Sequence, residues 1–380
     1  MDITIIGGGI IGVATAYFLS TRKQTSIRVL ERDPTYTNAS FARSCGGFRH
    51  QFVTKENIEL GIFGRQFIQK YTDEVQWTDN GYLLLFNEEQ ADRQRLAVLE
   101  QWKHGGLIKP VLQKDLKQMF PWINTEGVHI AGYTETDGWL DPHSLHKVFK
   151  QSAIDNGVEF VKTDVRDLDP GNRRFMAQTA DSDRFRQYCW SDDNGYGSNV
   201  IVVTAGCWTK DLLPDIPVAA QKHTVFNIKC PTHIADMPLV GDFTTGIYWR
   251  PEGDGYIVGS PTGRFDQDDL EPDHNDFEQL VWEKLALRAP MFESVKVTGA
   301  WAGYYDTNTI DNNAIIGKHP KWHNVYLASG FTGRGVMQAP GVGRGLTELI
   351  VDGEYKSIDL SCFSPQRLFD DQINYEPYVL

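Results

Sequence analysis

The sequence predicts an α/β (α+β) fold in which a Rossmann-like domain is interleaved with a β-rich one, and three observations carry that prediction. A short, mostly β-branched run over residues 2 to 6 opens directly into Gly7-Gly8-Gly9-Ile10-Ile11-Gly12, with glycines at the first, third and sixth places of a G-x-G-x-x-G turn. Strand and helix patterns alternate at the start, near residues 140 to 215 and again at the end, while strand-rich stretches lie between those sections. At 380 residues the chain also exceeds the size at which a single hydrophobic core stops growing. A Rossmann-like domain of residues 1–78, 139–215 and 300–380, interrupted twice by a β-rich domain of 79–138 and 216–299, accounts for the alternation better than two consecutive domains.

The first unit is the most specific. Gly7 permits the turn, Gly9 leaves no Cβ between backbone and a pyrophosphate, and Gly12 lets helix and strand pack closely. The helix that follows, small or apolar at Ala14, Ala16, Phe18 and Leu19, presents unpaired N–H groups and its positive dipole end to phosphate. A second strand over 27 to 30 delivers Glu31 roughly 20 residues beyond the last glycine, where a carboxylate can accept hydrogen bonds from an adenosine ribose. Strand, glycines, helix, second strand and terminal acid together specify a dinucleotide-binding unit.

Further along, residues 35 to 52 are polar and carry Gly46-Gly47, a pair that lets backbone approach a ligand closely. Residues 54 to 71 read as a helix with Ile58, Ile62, Phe63, Phe67 and Tyr71 on one stripe. A strand is expected at 82 to 86. The amphipathic helix after it, 88 to 104, is closed by Gly105-Gly106 and has Leu96, Leu99 and Trp102 as its expected apolar contacts. A strand at 128 to 133 precedes a helix with Asp141 as N-cap, Pro142 in its first position and Gly157 as its stop. Strands follow at 158 to 161 and onward to 168, then a loose meander over 173 to 190 and a turn-rich break over 191 to 198. Residues 199 to 204 form a buried-type strand that ends in Ala205-Gly206-Cys207-Trp208. The region from Pro217 is strand-rich, at 224 to 229, 246 to 250 and 256 to 258. A helix over 276 to 288 runs through Phe277, Leu280, Val281, Leu285 and Leu287. Strands at 295 to 304 and 324 to 328 follow, the second entering Gly330-Phe331-Thr332-Gly333-Arg334-Gly335 and a final helix from about Val336 to Val351.

The totals exclude several classes of function. A formal charge of −13 with no basic run argues against a nucleic-acid partner, since neutralising phosphate needs clustered Lys and Arg. Hydrophobic residues at 41% and charged ones at 23% fit neither a disordered chain nor a fibre. The five cysteines are scattered without a C-x-x-C, which reads as a reducing compartment rather than a disulfide framework. No stretch has the length of a membrane span, and a core strand starting at residue 2 leaves no room for a targeting peptide, so a cytoplasmic location is expected, with peripheral membrane docking left open. No metal site is expected: His319 and His323 flank Pro320 and share no regular helical face, and His143 and His146 have no evident acidic partner.

These residues resemble the superfamily of FAD enzymes that contains D-amino-acid oxidase, glycine oxidase and sarcosine oxidase. The N-terminal glycines with Glu31, the Ala205 to Trp208 turn and the Gly330 to Gly345 stretch carry the likeness, which covers nearly the whole chain. The runs 301–311, 246–250 and 358–361 are similar to a subfamily of FAD-dependent oxidoreductase-domain proteins that assist assembly of respiratory complex I. The resemblance implies a glutathione-reductase-like architecture, with the Rossmann-like segments as FAD-binding domain and the β-rich segments as substrate domain.

Taken position by position, the resemblance implies that Gly7, Gly9, Gly12, Glu31 and Arg32 surround the ADP half of FAD. Ser44, Gly46 and Gly47 would run beside the isoalloxazine ring, Val165 would offer backbone hydrogen bonds to adenine, and Ala205, Gly206 and Trp208 would pack near the ribityl and phosphate groups. Gly330, Thr332, Gly333, Gly335, Val336 and Met337 would set backbone N–H groups and the positive end of the last helix at the flavin N1–C2=O edge, where reduced flavin carries negative charge. Gly303 stands where monomeric sarcosine oxidases present the cysteine that bonds covalently to flavin, so non-covalent FAD is expected. Cys45 is either a second attachment point or a buried unreactive thiol. Met337 stands where those oxidases have a lysine that helps to hold the substrate carboxylate, so sarcosine is not carried over as substrate.

Oxidising an amine with flavin moves a hydride from the α-carbon to N5, so the protein's task is to position substrate and stabilise charge. Arg49 aligns with an arginine that holds carboxylate in sarcosine oxidases; its other reading is an arginine pairing a core acid. His50 is a proton relay or a structural hydrogen-bonding histidine. Tyr248 and Arg250 roof the pocket over the flavin or sit as a pair on the sheet surface. Arg334 faces substrate or FAD, and Tyr305 is expected to be a pocket wall. The implied activity is oxidation of the C–N bond of a small amino acid or N-alkyl amino acid, with oxygen, a quinone or an electron carrier as acceptor. Two alternatives stay open: a flavoprotein scaffold that contacts respiratory-chain subunits with little catalysis, and a quinone-linked 2-hydroxy acid dehydrogenase.

Overall fold

The structure, a computed structural model, describes residues 1–22, 25–169, 174–179, 186–189 and 200–380. Among the described residues two eight-stranded sheets organise the chain. The first has the order Arg186–Cys189, Arg174–Thr179, Glu159–Asp169, Ser26–Glu31, Asp2–Ile6, Val200–Val203, Val325–Ser329, Ile315–Lys318. Its five central strands are mutually parallel, and the three outer pairings are antiparallel. Parallel strands buried on both faces read as continuous apolar runs, and Val200–Val203 is buried at every position.

Helices cover this sheet. The first, Ile10–Ser20, buries most of its residues, and the last long helix, Gly335–Val351, packs against it so closely that a Cβ on Gly343 would lie 2.7 Å from the Ala14 carbonyl carbon. The helix Pro142–Asp155 starts as the sequence predicts, with the Asp141 carboxylate accepting the N–H groups of His143 and Ser144 at 3.2 and 3.1 Å.

The second sheet runs Lys296–Asn308, Val218–Lys229, Gly255–Phe265, Ile247–Glu252, Leu239–Asp242, Tyr82–Phe86, Ile130–Thr134, Lys109–Leu112. It is antiparallel apart from Leu239–Asp242, which runs parallel to Tyr82–Phe86. Position 300 lies inside the strand Lys296–Asn308, which pairs along its whole length with Val218–Lys229, so the expected boundary there cuts an element of the β-rich sheet.

Two helices depart from expectation. The helix Glu88–Lys103 forms, with Asn87 and Gln90 making a reciprocal capping box, but it turns the other way: Leu96, Leu99 and Trp102 are exposed, and Ala91, Gln94, Ala97, Val98 and Gln101 are buried. The amides explain the orientation. Gln101 Nε2 donates to Phe52 O at 2.8 Å and Gln94 Oε1 accepts from Tyr378 Oη at 2.6 Å, so a face of small and amide side chains docks inward. In the second case, the stretch expected as one helix over 276 to 288 is a π-helical segment, Phe277–Trp282, followed by Glu283–Arg288. The wider turn leaves Leu287 exposed and swings Arg288 inward, where its Nε donates to Asp242 Oδ2 at 2.7 Å.

The expected break over 191 to 198 lies outside the described residues. Among the described residues no helix is long and apolar enough to cross a membrane, and Cys45, Cys207, Cys230 and Cys362 are free thiols.

Candidate active site

The turn after the first strand is shaped by its glycines. Gly7 has φ +101, and a Cβ there would lie 2.5 Å from Thr204 O; one on Gly12 would lie 1.9 Å from Gly7 O. Gly9 is different: a Cβ there would meet nothing within 4 Å, because the space beside it is open cavity. The helix begins one residue later with no side-chain cap and no acidic residue in its first turn, so its leading N–H groups are left to a ligand. Two side chains hold the turn from behind. Glu31 accepts the N–H of Gly8 at 2.7 Å and of Asp33 at 2.8 Å, and His146 Nε2 donates to Gly8 O at 2.9 Å with its ring stacked 4.4 Å from Phe41. Burial raises the Glu31 carboxyl against those two hydrogen bonds and pushes the His146 imidazole down to about 4. At the far side of this end, the Arg32 guanidinium lies 3.9 Å over the Trp208 ring, and Val165 sits where its strand slips register.

A second uncapped helix start faces the first. Gly330 and Gly333 have φ of +72 and +85, which turns the chain sharply between Val325–Ser329 and Gly335–Val351. The buried Asp306 fixes this turn: its Oδ2 accepts the N–H of Gly330 at 2.9 Å and its carbonyl accepts that of Thr332 at 3.1 Å. Burial raises the Asp306 carboxyl to about 6. The last helix then starts without a side-chain cap or a first-turn acid.

Both helix starts open on one cavity of about 1160 Å³. Gly7, Gly9, Glu31, Arg32 and Val165 line it, as do Ala205, Gly206 and Trp208. Ser44, Gly47 and Gly303 lie along its middle, and Thr332, Gly333, Gly335, Val336 and Met337 at the second helix start. Gly12, Gly46 and Gly330 stand behind that surface and shape it; a Cβ on Gly46 would come within 2.1 Å of Leu140 O.

Of the candidate catalytic side chains, Arg49, Tyr248, Tyr305 and Arg334 line the cavity, and His50 and Arg250 do not. Asp137 claims His50, its Oδ1 lying 2.8 Å from Nδ1, while the other ring nitrogen accepts the Leu107 N–H at 3.2 Å; the relay reading gives way to the structural one. Arg250 donates from Nε to Cys45 O at 2.8 Å and pairs with Glu252, so it braces the Cys45 loop from outside the cavity lining. Arg49 reaches the cavity, yet its guanidinium donates to Gln51 O and, at 2.6 Å, to Tyr378 O, and among the described residues no acid pairs with it.

Arg334 is the exception. It is 2% exposed, donates from one terminal nitrogen to Asn312 O, and leaves Nε and Nη1 without a partner. Burial pulls the guanidinium down to about 10, with Glu376 and Asp306 opposing. A buried charge held this loosely is costly unless an anion completes it. Next to it, the Tyr305 ring packs on Gly333 and stacks 3.7 Å from His223. Among the described residues neither His223 nitrogen has a partner, and burial pushes that imidazole down to about 3.

His146, His223, Asp306 and the segment Tyr378 to Leu380 were missed from sequence. His223 and Val225 sit two apart on one strand and share the cavity face, a period that flags the histidine only once the strand's facing is known.

The residues present fit a flavin dinucleotide. Open space at Gly9 and helix starts free of side-chain caps at both ends of one cavity call for a ligand that is anionic at one end and hydrogen-bonding at the other. Among the described residues no cluster of three metal-ligating side chains occurs.

Comparison with known proteins agrees. Residues 2–349 match the family described as FAD dependent oxidoreductase, DAO. FAD-dependent oxidoreductase domain-containing protein 1 of Xenopus laevis is 35% identical over 98% of this chain and 83% of its own length. Monomeric sarcosine oxidase of Bacillus sp. (strain B-0618) is 25% identical over 96% of each chain. Among solved structures, L-proline dehydrogenase from P. horikoshii superposes with a TM-score of 0.84 at 25% identity, covering 98% of this chain and 99% of that one.

Proposed function

The chain belongs to the DAO family of FAD-dependent oxidoreductases, and from that premise we propose that it oxidises the C–N bond of a small amino acid or N-alkyl amino acid. It is an oxidoreductase of the amino acid oxidase type, and FAD is its cofactor. The observation that carries the finer reading is Arg334: a buried guanidinium on the cavity lining, with Nε and Nη1 unpartnered among the described residues, suits a substrate carboxylate that accepts a charge-assisted hydrogen bond.

When bound, FAD supplies the acceptor for the hydride that leaves the substrate α-carbon. The chain's own groups do the rest. Gly7 to Gly9, with the first helix start, would hold the pyrophosphate, and the second helix start with Gly333 and Gly335 would offer N–H groups to the ring. Arg334 sets the carboxylate, Tyr305 limits how the substrate can turn, and the neutral His223 offers one N–H and one lone pair beside it. A lone pair from an uncharged imidazole suits a neutral amine N–H, the form that can release hydride. Gly303 leaves no thiol for a covalent link at its position, which supports FAD that acid releases.

The test is anaerobic reduction of the bound flavin across a panel of amino, N-methylamino and 2-hydroxy acids. Bleaching by an amino acid is expected; bleaching by 2-hydroxy acids alone would overturn the reading. A second reading, a flavoprotein that works through its surface, is favoured by the exposed Leu96, Leu99 and Trp102 with Leu107 beside them. No bleaching by any acid, together with co-purification of respiratory-chain subunits, would favour it instead.

A further inference from the structure

Residues 376–380 tuck into the protein, with Glu376 and Tyr378 buried and the residues between and after them half-buried. Glu376 has no exposed surface; its Oε2 accepts the Thr54 N–H and Asn57 Nδ2, each at 3.0 Å, and its own N–H donates to Asp311 O at 3.0 Å. Two residues on, the Tyr378 ring lies 5.0 Å from Phe86 and 5.3 Å from Phe243, and its hydroxyl donates to Gln94. Held in this way, the segment delivers Leu380 into the cavity. The Leu380 side chain packs against the cluster of Val225, Tyr248 and Ile257 and fills the space over Gly241, where a Cβ would come within 2.8 Å of it.

The segment's main-chain oxygens also occupy two groups that the sequence offers to substrate. Tyr305 Oη donates to Leu380 O at 3.0 Å, and Arg49 donates to Tyr378 O at 2.6 Å. Arg334, which follows the Gly333 that Tyr305 packs on, keeps Nε and Nη1 unpartnered among the described residues.

We propose that Tyr378, Val379 and Leu380 form the wall that sets the size of side chain the active site accepts, restricting it to small carboxylate substrates. This rests on reading the Arg334 end of the cavity as the carboxylate site and narrows the substrate class proposed there. The wall resists displacement because moving it outward strips Tyr305 of its acceptor and Arg49 of one of its two. A side chain that reaches Leu380 must therefore break those contacts or forgo the fit at Arg334, a misfit worth tenfold or more in selectivity, on the order of a lost methylene-scale contact.

The experiment uses the FAD-loaded full chain and a ladder of carboxylates, acetate, isobutyrate and benzoate, followed through the shift each causes in flavin absorption. Leu380→Ala and Leu380→Gly are expected to improve benzoate relative to acetate by about tenfold, and Leu380→Phe to weaken isobutyrate. An unchanged benzoate-to-acetate ratio in the soluble Leu380→Ala protein, or no carboxylate binding at any size, would overturn the proposal. Amino acids of graded size run in parallel keep the two readings apart: a shifted ladder with no amino acid bleaching the flavin upholds the wall and removes the amine chemistry.

Discussion

Tyr305 and Gly333 share one volume: a Cβ on Gly333 would lie 2.4 Å from Tyr305 Cε2, and φ at Gly333 is +85. The aromatic ring thus takes the place of a side chain on the turn that starts the last helix.

Gly333→Ala is accordingly expected to push Tyr305 toward His223 and strain the turn, lowering stability by roughly 1–3 kcal/mol and weakening FAD binding at least tenfold. Thermal melting and FAD titration of the apo-protein check this. Wild-type affinity in that variant would show that the ring can yield.

Arg334→Ala should raise the KM or the inhibitor dissociation constant for carboxylates by roughly 10- to 100-fold, the worth of about 1.5–3 kcal/mol for a charge-assisted contact. The apo-protein should melt no lower than wild type, since an under-paired buried charge has been removed. Arg49→Ala should do the opposite, losing stability through the orphaned carbonyls of Gln51 and Tyr378 while leaving carboxylate affinity less changed. Equal effects of the two variants on carboxylate binding would reassign the anchor.

His223→Leu is expected to stabilise the apo-protein by about 1 kcal/mol, because it takes two unpaired nitrogens out of the interior, and at the same time to impair substrate reduction of the flavin. His223→Gln should recover part of the activity. A drop in apo-protein stability with unaltered turnover would place His223 among structural residues.

His146 makes stability pH-dependent, and the sign follows from its depressed value. With the folded imidazole at about 4 and the unfolded one near 6.5, the unfolded chain binds a proton first as pH falls. The contribution is complete above about 6.5 and erodes toward 4, costing about 2 kcal/mol by pH 5. Urea melts at pH 7 and 5 should show a smaller difference for His146→Phe, which retains an aromatic ring against Phe41 but no bond to Gly8 O.

The legible parts of this fold are those whose cause is local. Gly7, Gly9 and Gly12 announce a turn because their spacing is itself the geometry, and Asp141-Pro142 announces a helix for the same reason. The site beyond the glycines is written across long separations. His146 reaches Gly8 over 138 residues and Tyr305 reaches Leu380 over 75, and no local period signals either contact. Leu96, Leu99 and Trp102 mislead for a related reason: an amphipathic pattern reports two faces, and Gln94 and Gln101 decide which one turns inward only when Tyr378 and Phe52 are in place.

The parallel pairing of Tyr82–Phe86 with Leu239–Asp242, and of Asp2–Ile6 with Val200–Val203 beside Val325–Ser329, carries a cost during synthesis. Neither sheet can close until a strand far along the chain has been made, Val325–Ser329 for the first and Lys296–Asn308 for the second. Nascent chains therefore carry bare sheet edges until then, and refolding from denaturant should be slow and prone to clumping.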